Sequence, residues 1–322
     1  MSEISTPACC VRLSGTLFGS ERKPRDAIGD ETSREPGAKP PLHTLTIVSV
    51  DPSTEGAPPP IAIGSPEARY HVEDFIGEGG MGEVFRGEDS LLRRPIAVKY
   101  LRQPLSDDPS ALRQFWNEVV HSGLLDHPCV PPVHDAGIDR HGRPFYVMRL
   151  IRGRSLRDVL DESDDSEWGL PRLLSSFVQV CGAVQFAHDS DILHLDIKPA
   201  NIMIGDYGAV YLVDWGLSEA TSPHGRRGTR GTPSYMAPEQ TRSGAALSAA
   251  ADLFALGALL YELCTRERAF PGSEPRAIFE KIRRGEFHRG PAWDRCAPSL
   301  CEIIEHALEP EIDRRIESAE AL

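Results

Sequence analysis

The alternation of apolar and polar residues predicts a series of short β-strands in the first half of the chain. Such alternation is typical of half-buried strands, because successive side chains point to opposite faces. It places strands near residues 70–76, 83–88, 94–101, 131–137 and 144–149. Between the third and fourth strands, Asp108 and Pro109 open a stretch of helical apolar spacing that runs to Val120. A capping side chain followed by a proline in the first turn favours a helix start there.

Beyond residue 150 the apolar spacing is mostly helical. The patterns over 155–160 and 173–188 predict one short and one long helix. The apolar run from Ala251 to Leu263 is shorter than the roughly 20 residues that a membrane span needs, and it contains two acidic residues. A strand-rich first part and a helical second part together predict an α+β fold.

The first 65 residues differ in composition from the rest. They hold nine of the chain's 27 prolines, with mixed charges and few aromatic residues. Such a segment cannot bury enough apolar surface to offset its chain entropy, so residues 1–65 are predicted to be disordered. Residues 42–50 are the exception, because they alternate like a strand. The sequence leaves open whether they dock on the rest of the chain or on a partner, or form only a transient strand.

Charge and cysteine content narrow the class of protein. With 35 basic and 48 acidic residues the formal net charge is −13, which argues against a nucleic-acid binder with a basic stripe. Seven cysteines without Cys-x-x-Cys spacing are expected to be mostly small core residues in a reducing compartment. Cys9 and Cys10 remain open as an exposed, redox-active or lipid-modified pair. Because the N-terminus also lacks a basic-then-apolar pattern, we expect a cytoplasmic protein without a membrane span.

The chemistry is most readable between His194 and Gly216. Here Asp196, Lys198, Asn201 and Asp214 supply a carboxylate, an ammonium, an amide and a second carboxylate. Phosphoryl transfer needs positioning and charge neutralisation more than covalent chemistry, and these groups supply both. The segment predicts a site that holds a nucleotide's terminal phosphate and its metal ions.

A glycine-rich segment lies upstream, over residues 76–84. Its pattern is Gly-x-Gly-x-x-Gly, and glycines let a backbone approach phosphates and present N–H groups to them. A dinucleotide-binding turn would carry the same pattern but would open a helix, whereas residues 83–87 alternate like a strand. Lys99 ends the following apolar run, and Glu118 lies on the predicted helix as its candidate partner.

Together these segments resemble the protein kinases, from about Tyr70 to Leu322. Residues 194–201 resemble the catalytic loop, Asp214-Trp215-Gly216 the metal-binding segment, and Ala237-Pro238-Glu239 the end of the activation segment. Details of the glycine loop and catalytic loop look most like the bacterial eukaryotic-like Ser/Thr kinases. The resemblance implies a two-lobed fold over residues 66–322, with a small antiparallel β lobe (66–150) carrying one main helix and a larger, mostly helical lobe (151–322).

The resemblance also implies a role for each residue. Asp196 would accept the substrate hydroxyl's proton, Lys198 would steady the transferring phosphoryl group, and Lys99 would neutralise the α- and β-phosphates of ATP, oriented by Glu118. Asn201 and Asp214 would hold Mg²⁺. The hinge backbone over 149–151 would bind the adenine. The residues implied for nucleotide binding are Ile76, Gly77, Gly79, Gly80, Gly82, Val84, Ala97, Lys99, Met148, Arg149, Ile151 and Met203.

Three further residues are implied to be structural. Glu239 would pair with Arg315, expected on a late helix, and Asp252 would brace the catalytic-loop backbone. Leu195 departs from the family pattern, because many kinases have an arginine there that binds an activation-loop phosphate. We therefore hypothesise that activity depends little on phosphorylation of that loop, although Thr229 and Thr232 are candidate autophosphorylation sites.

Two charged segments have open interpretations. The arginines are Arg149, Arg152, Arg154 and Arg157, and the acids that follow are Asp161, Glu162, Asp164, Asp165 and Glu167. They form either a solvated face or a surface that selects charged substrates. The basic loop with Arg226, Arg227 and Arg230 is either solvated or recruits an acidic substrate or a phosphate.

The predicted function is transfer of the γ-phosphoryl group of Mg-ATP to Ser or Thr hydroxyls of proteins. The alternatives are a pseudokinase that binds nucleotide without turnover and a small-molecule kinase of related fold. The preference for Ser and Thr rests on Lys198 and on residues 231–235. The sequence leaves open whether two kinase domains associate with each other.

Overall fold

The structure is a computed structural model that describes residues 69–162, 168–220 and 231–322. The N-terminal arm, with its strand-like segment and the Cys9-Cys10 pair, lies outside the described residues. So do Asp164, Asp165, Glu167, Thr229 and the three arginines of the basic loop.

Five antiparallel strands form the small lobe's sheet, in the order β1-β2-β3-β5-β4. The strands are β1 Tyr70–Glu78, β2 Gly82–Asp89, β3 Arg94–Leu101, β4 Val133–Ile138 and β5 Pro144–Arg149. Each lies within about two residues of its predicted position. The middle strand, β3, is buried at every position from Ile96 to Leu101, so its apolar run is continuous rather than alternating.

One helix, α1 (Pro109–Leu124), packs against this sheet. Its start follows the predicted chemistry, because the Asp108 side chain accepts a hydrogen bond from the Ser110 N–H and Pro109 occupies the first turn. Phe115 is fully buried and packs with Leu101 and Tyr146 of the sheet. This packing fixes the face of α1 that is turned toward the sheet, and Glu118 lies on that helix.

The remaining part of the described chain is mostly helical. Its helices are α2 Leu156–Glu162, α3 Leu170–Asp189, α4 Ala249–Thr265, α5 Pro275–Arg284 and α6 Pro298–Ala307. Short strands lie between them: β6 Gly153–Ser155, β7 Ile192–Leu193, β8 Ile202–Gly205, β9 Val210–Leu212 and β10 Glu219–Ala220. The predicted α+β fold, with a small β lobe and a larger helical lobe, is confirmed.

Helix α4 is the centre of the large lobe's core. Nearly all of its residues are buried, which a helix that is apolar on every side requires. It packs closely on α6, since a Cβ added to Gly257 would lie 2.6 Å from the Cβ of Ala307. No helix in the described ranges has the length and apolar character to cross a membrane.

The five cysteines within the described residues are all free thiols. Cys129 and Cys181 are buried, as expected for small core residues. Burial raises the pKa of Cys181 to about 12. Cys264, Cys296 and Cys301 are half-buried, so the expectation of core residues holds only partly for them.

Candidate functional site

A buried ion pair joins the small-lobe sheet to helix α1. Lys99 Nζ donates to Glu118 Oε1 at 2.5 Å, and the two side chains are 9% and 1% exposed. Burial opposes the charge of Lys99, but Glu118, Tyr146 and Asp214 together outweigh it, and the pKa of Lys99 lies well above its ordinary value. The ammonium therefore stays charged at neutral pH. Its partner Glu118 lies 19 positions further along the chain.

Asp214 completes this cluster from the large lobe. Lys99 Nζ also donates to Asp214 Oδ1 at 3.2 Å. The charge of Lys99 is the main cause that lowers the pKa of Asp214, and His194 and Lys198 lower it further. The backbone also joins this segment to the catalytic loop, because the Val213 N–H donates to the Asn201 carbonyl at 2.8 Å.

Asp196 lies in a second, tightly bonded group. Lys198 Nζ donates to Asp196 Oδ2 at 2.7 Å, and Asn201 Nδ2 donates to the same oxygen at 3.1 Å. Thr232 donates to Asp196 Oδ1 through its backbone N–H at 3.0 Å and its hydroxyl at 3.1 Å. Lys198 also donates to the Thr232 hydroxyl at 2.8 Å. The structure thus brings together the predicted residues Asp196, Lys198 and Asn201, with Thr232 between them.

The backbone of this loop is held by Asp252 on α4. Its carboxylate accepts hydrogen bonds from the backbone N–H groups of His194 at 2.8 Å and Leu195 at 2.7 Å. His188 Nε2 lies 2.9 Å from the same carboxylate. Burial opposes ionisation of Asp252, but these partners prevail and lower its pKa. Sequence reasoning missed His188, because nothing local to the end of α3 indicates a partner 64 residues away.

Trp215 is also packed in this region. It is 2% exposed, and its ring lies 4.6 Å from that of His194. Its Nε1 donates to the Leu212 carbonyl at 3.2 Å. The Trp215 ring is therefore buried beside His194, next in sequence to Asp214.

A buried ion pair anchors the end of residues 231–239, which we call the activation-type segment. Arg315 Nη1 and Nη2 donate to the two carboxylate oxygens of Glu239 at 2.8 and 3.2 Å. The expectation that Arg315 lies on a late helix is wrong. It follows a single 3₁₀ turn, Ile312–Arg314, and its backbone is extended. From there its guanidinium donates to backbone carbonyls of Glu309, Ala250 and Pro310 as well as to Glu239.

Comparison with known proteins identifies this arrangement. A model of the protein kinase domain matches residues 70–322. The chain belongs to the protein kinase family. The predicted resemblance is confirmed.

The most similar relatives include bacterial kinases. The chain is 38% identical over 218 residues to the Corynebacterium glutamicum protein named "Probable serine/threonine-protein kinase PknB", covering 65% of this chain and 33% of that relative. It is 34% identical to the serine/threonine-protein kinase PknB of Mycolicibacterium smegmatis and 32% identical to that of Mycobacterium tuberculosis. Both matches cover 260 residues, 78% of this chain and 41% of the relative. The chain thus spans between a third and two fifths of the length of these relatives.

Three of the residues predicted to bind nucleotide line a common cavity beside the hinge. A cavity of about 600 Å³, which we call the front cavity, is lined by Ile76, Ile151 and Met203 among others. Val84 lies opposite Lys99 on neighbouring strands, and Ala97 lies opposite Met148. Arg149 ends β5, and its side chain points away over the ring of Tyr211, 5.6 Å from the centroid.

The glycine-rich segment differs between its glycines. A Cβ added to Gly82 would lie 2.7 Å from Lys99 Cε and 3.1 Å from the Tyr100 carbonyl oxygen. A Cβ added to Gly77, Gly79 or Gly80 would meet no atom within 4 Å. Packing within the protein therefore requires a glycine only at position 82, next to the lysine.

The donor set at Asn201 and Asp214 fits a divalent cation. Carboxylate and amide oxygens are ligands that Mg²⁺ accepts. Both side-chain hydrogen bonds of Asn201 are donated by Nδ2, and its amide oxygen accepts none from the described residues. The second oxygen of Glu118, Oε2, is buried without a hydrogen bond to any described residue, and it would lie 3.1 Å from a Cβ on Gly216. Two side-chain oxygens, the Asn201 amide oxygen and Glu118 Oε2, thus accept no hydrogen bond from the described residues.

Sequence reasoning also missed a buried polar group beside the activation-type segment. Arg157 Nη2 donates to Glu262 Oε1 at 2.6 Å and to the Tyr235 hydroxyl at 3.0 Å, and that hydroxyl donates to Glu262. Arg157 also pairs with Asp161 at 3.1 Å. One member of the arginine cluster is therefore an internal anchor and not part of a substrate-selecting surface.

Proposed function

We propose that this chain is a protein-serine/threonine kinase that transfers the γ-phosphoryl group of ATP to Ser or Thr hydroxyls of proteins. The observation that carries the proposal is a pair of bonded groups: Lys99 donates to Glu118 and Asp214, and Lys198 donates to Asp196. A backbone hydrogen bond between Val213 and Asn201 joins the segments that carry them. Protein kinases need the Lys–Glu ion pair in place for turnover. The names of the bacterial relatives support the same residue preference.

In the proposed reaction the protein's groups position the substrates and carry the proton. Asp196 Oδ2 or Oδ1 accepts the proton of the substrate hydroxyl as its oxygen bonds to the γ-phosphorus and the bond to the β-phosphate oxygen breaks. Lys198 neutralises charge on the transferring group, and its hydrogen bond to Thr232 holds it beside Asp196. Lys99, fixed by Glu118, binds the α- and β-phosphates. Asn201 and Asp214 would hold Mg²⁺, which offsets the negative charge of the phosphates when bound.

The preference for Ser and Thr is supported by the contact between Lys198 and Thr232. Both groups bond to Asp196, so they border the space in which a substrate hydroxyl must lie. The nearby Gly231-Thr232-Pro233 turn contributes the Thr232 N–H to the same carboxylate. We propose further that the activity is cytoplasmic, where ATP is made, and that kinase domains associate with each other during autophosphorylation.

The test is transfer of labelled phosphate from Mg-ATP to the chain itself and to a Ser/Thr peptide library, with phosphosites mapped by mass spectrometry. Asp196→Asn removes the proton acceptor and is expected to lower the rate by about 10²–10⁴-fold. Asp294→Asn changes an exposed carboxylate on the large lobe and serves as the matched control. If the parent chain binds nucleotide but transfers no phosphate, the pseudokinase alternative replaces this proposal.

A further inference from the structure

A second cavity, of about 560 Å³, borders the hinge. It extends to Pro132 and His134 of the β4 side and to the turn between β8 and β9. The residues that line both cavities are Arg94, Pro95, Leu150, Ile151 and Arg152. We call it the rear cavity. The phosphoryl-transfer groups described above do not line it.

Positive charge is concentrated in the rear cavity. Arg94, Arg149 and Arg152 line it, against one carboxylate, that of Asp206. The chain as a whole has a formal net charge of −13, so three arginines at one cavity run against its composition. Neither Arg149 nor Arg152 forms an ion pair within the described ranges. A cleft lined by one sign of charge raises the local concentration of ions of the opposite sign.

Arg94 contributes a donor that folding leaves unused. Its Nε is buried and forms no hydrogen bond with any described residue. The Asp89 carboxylate oxygen lies 3.6 Å away and already accepts from Arg69 at 3.0 Å. Arg94 is thus only loosely paired with Asp89, because it shares this carboxylate with Arg69.

The pKa of His134 responds to the positive charge of these arginines. Burial lowers the pKa of His134, and the charge of Arg94 lowers it further. Asp89 opposes this shift, and Arg149 and Arg69 each add a smaller lowering effect. The imidazole is therefore neutral at pH 7. The cavity wall then presents arginines and neutral rings, including that of Tyr211, which Arg149 covers.

We propose that the rear cavity binds a small organic anion that carries a phosphate or carboxylate group. Arginine forks form strong, charge-assisted hydrogen bonds with both groups. The volume lies in the range of small-molecule pockets, roughly 300–1,000 Å³, which favours a small ligand over an extended peptide. Because Leu150 and Ile151 line both cavities, the anion also changes nucleotide affinity through the hinge; this second part rests on the proposed function.

Calorimetric titration of the full chain tests the binding. The probes are phenyl phosphate and phthalate, two dianions with one ring each, in phosphate-free buffer with saturating Mg²⁺ and a non-hydrolysable ATP analogue to fill the front cavity. Arg152→Glu reverses an exposed charge at the rear cavity and is expected to weaken binding at least tenfold. Arg276→Glu, on the exposed side of α5 and lining neither cavity, is the control with the same change in net charge.

Each outcome decides the proposal. Tighter binding of phenyl phosphate identifies a phosphate-bearing ligand, and tighter binding of phthalate a carboxylate-bearing one. Equal weakening by Arg152→Glu and Arg276→Glu would show that only overall charge matters and would overturn the proposal. So would the absence of binding by both probes, including the case in which only an acidic peptide binds. Arg149→Gln removes the charge of the one arginine of the three that lines only the rear cavity, and it is expected to weaken binding as well. Unchanged binding in this variant would also overturn the proposal.

The two proposals of this article fail separately. Anion binding is read by heat, and phosphoryl transfer is read by labelled ATP. If the chain binds the anion but transfers no phosphate, the rear-cavity proposal stands and the proposed function is wrong. If the chain transfers phosphate but binds neither probe, the proposed function stands and the rear-cavity proposal is wrong. For the hinge coupling, the expected result is a change of at least threefold in the Kd of the ATP analogue at saturating anion, absent in Arg149→Gln, whose side chain lines only the rear cavity.

Discussion

At the residue scale, Leu195 combines an unusual backbone with a buried side chain. Its φ is +66°, in the left-handed region that costs about 1–2 kcal/mol for residues other than glycine. Its N–H donates to Asp252, and its carbonyl accepts from Gln240 Nε2 at 3.0 Å. The side chain is 3% exposed and belongs to the large lobe's core. The residue before Asp196 therefore packs in the core and supplies no positive charge, whereas an arginine there would supply one.

The burial of Leu195 leads to a prediction about activation-loop phosphorylation. Thr229→Ala is expected to change the phosphoryl-transfer rate by less than tenfold, because position 195 supplies no arginine to bind a phosphothreonine. Steady-state rates of the variant and the parent, both treated with phosphatase and then with ATP, make the measurement. Thr229 lies outside the described residues, and its phosphorylation stays a prediction. A rate loss well beyond tenfold would contradict the hypothesis.

At the element scale, the contact between α4 and α6 positions the catalytic loop. Asp252 holds that loop from the first turn of α4, so α4 must sit at a fixed depth in the core. The close approach at Gly257 sets that depth against α6. The same helix carries Glu262, which anchors Tyr235 of the activation-type segment. One buried helix thus holds both the catalytic loop and the activation-type segment.

Gly257→Ala tests this helix contact. The added methyl would lie 2.6 Å from the Cβ of Ala307 and 3.2 Å from its carbonyl carbon, so α4 and α6 must separate. Overpacking of this kind costs about 1–3 kcal/mol of unfolding free energy, measurable by urea denaturation. Gly123→Ala is the matched control, because a Cβ on that α1 residue meets nothing within 4 Å. It is expected to be neutral or stabilising by up to about 1 kcal/mol. Equal effects of the two changes would rule out the packing argument.

At the scale of the whole molecule, carboxylates with lowered pKa make the fold sensitive to acid. The pKa values of Asp89, Asp214 and Asp252 all lie below the ordinary 3.8. Arg69 holds the first and Lys99 the second, while His188 and backbone donors hold the third. Each therefore binds a proton less readily in the folded than in the unfolded chain. Their contribution to stability is fully present above the unfolded pKa and is lost as the pH falls below it.

The measurable consequence is a loss of unfolding free energy between pH 5 and pH 3. Urea denaturation at pH 7, 5 and 3.5 is expected to show little change over the first step and a clear decrease over the second. Asp252→Asn removes one of the responsible groups and should make that decrease smaller. Asp313→Asn, an exposed carboxylate, should leave it as in the parent. A stability that rises on acidification would contradict the assigned directions.

Prediction from sequence worked best where the relevant contacts are local. Alternation, and for β3 a continuous apolar run, located the five strands of the small sheet. The Asp108-Pro109 pair located the start of α1, because the capping bond reaches only two residues along the chain. It failed where partners are distant. The Arg157 and Glu262 pair spans 105 residues, and Arg157 looked like one charge in a solvated cluster. Arg315 was expected on a helix, because its role in binding Glu239 carries no information about its own backbone.

The sequence by itself determined the family, the α+β class and the set of charged residues from which a phosphoryl-transfer site is built. These follow from residue types at fixed spacings, which the folded state does not alter. The tertiary structure alone decided which of those charges meet. Lys99, Glu118 and Asp214 become neighbours only when the β-sheet, α1 and the large lobe pack together. The opposite charges that then lie close raise the pKa of Lys99 and lower that of Asp214, although burial opposes both shifts. The arginines at the rear of the hinge likewise share a cavity only because the turn between β8 and β9 folds back beside β4.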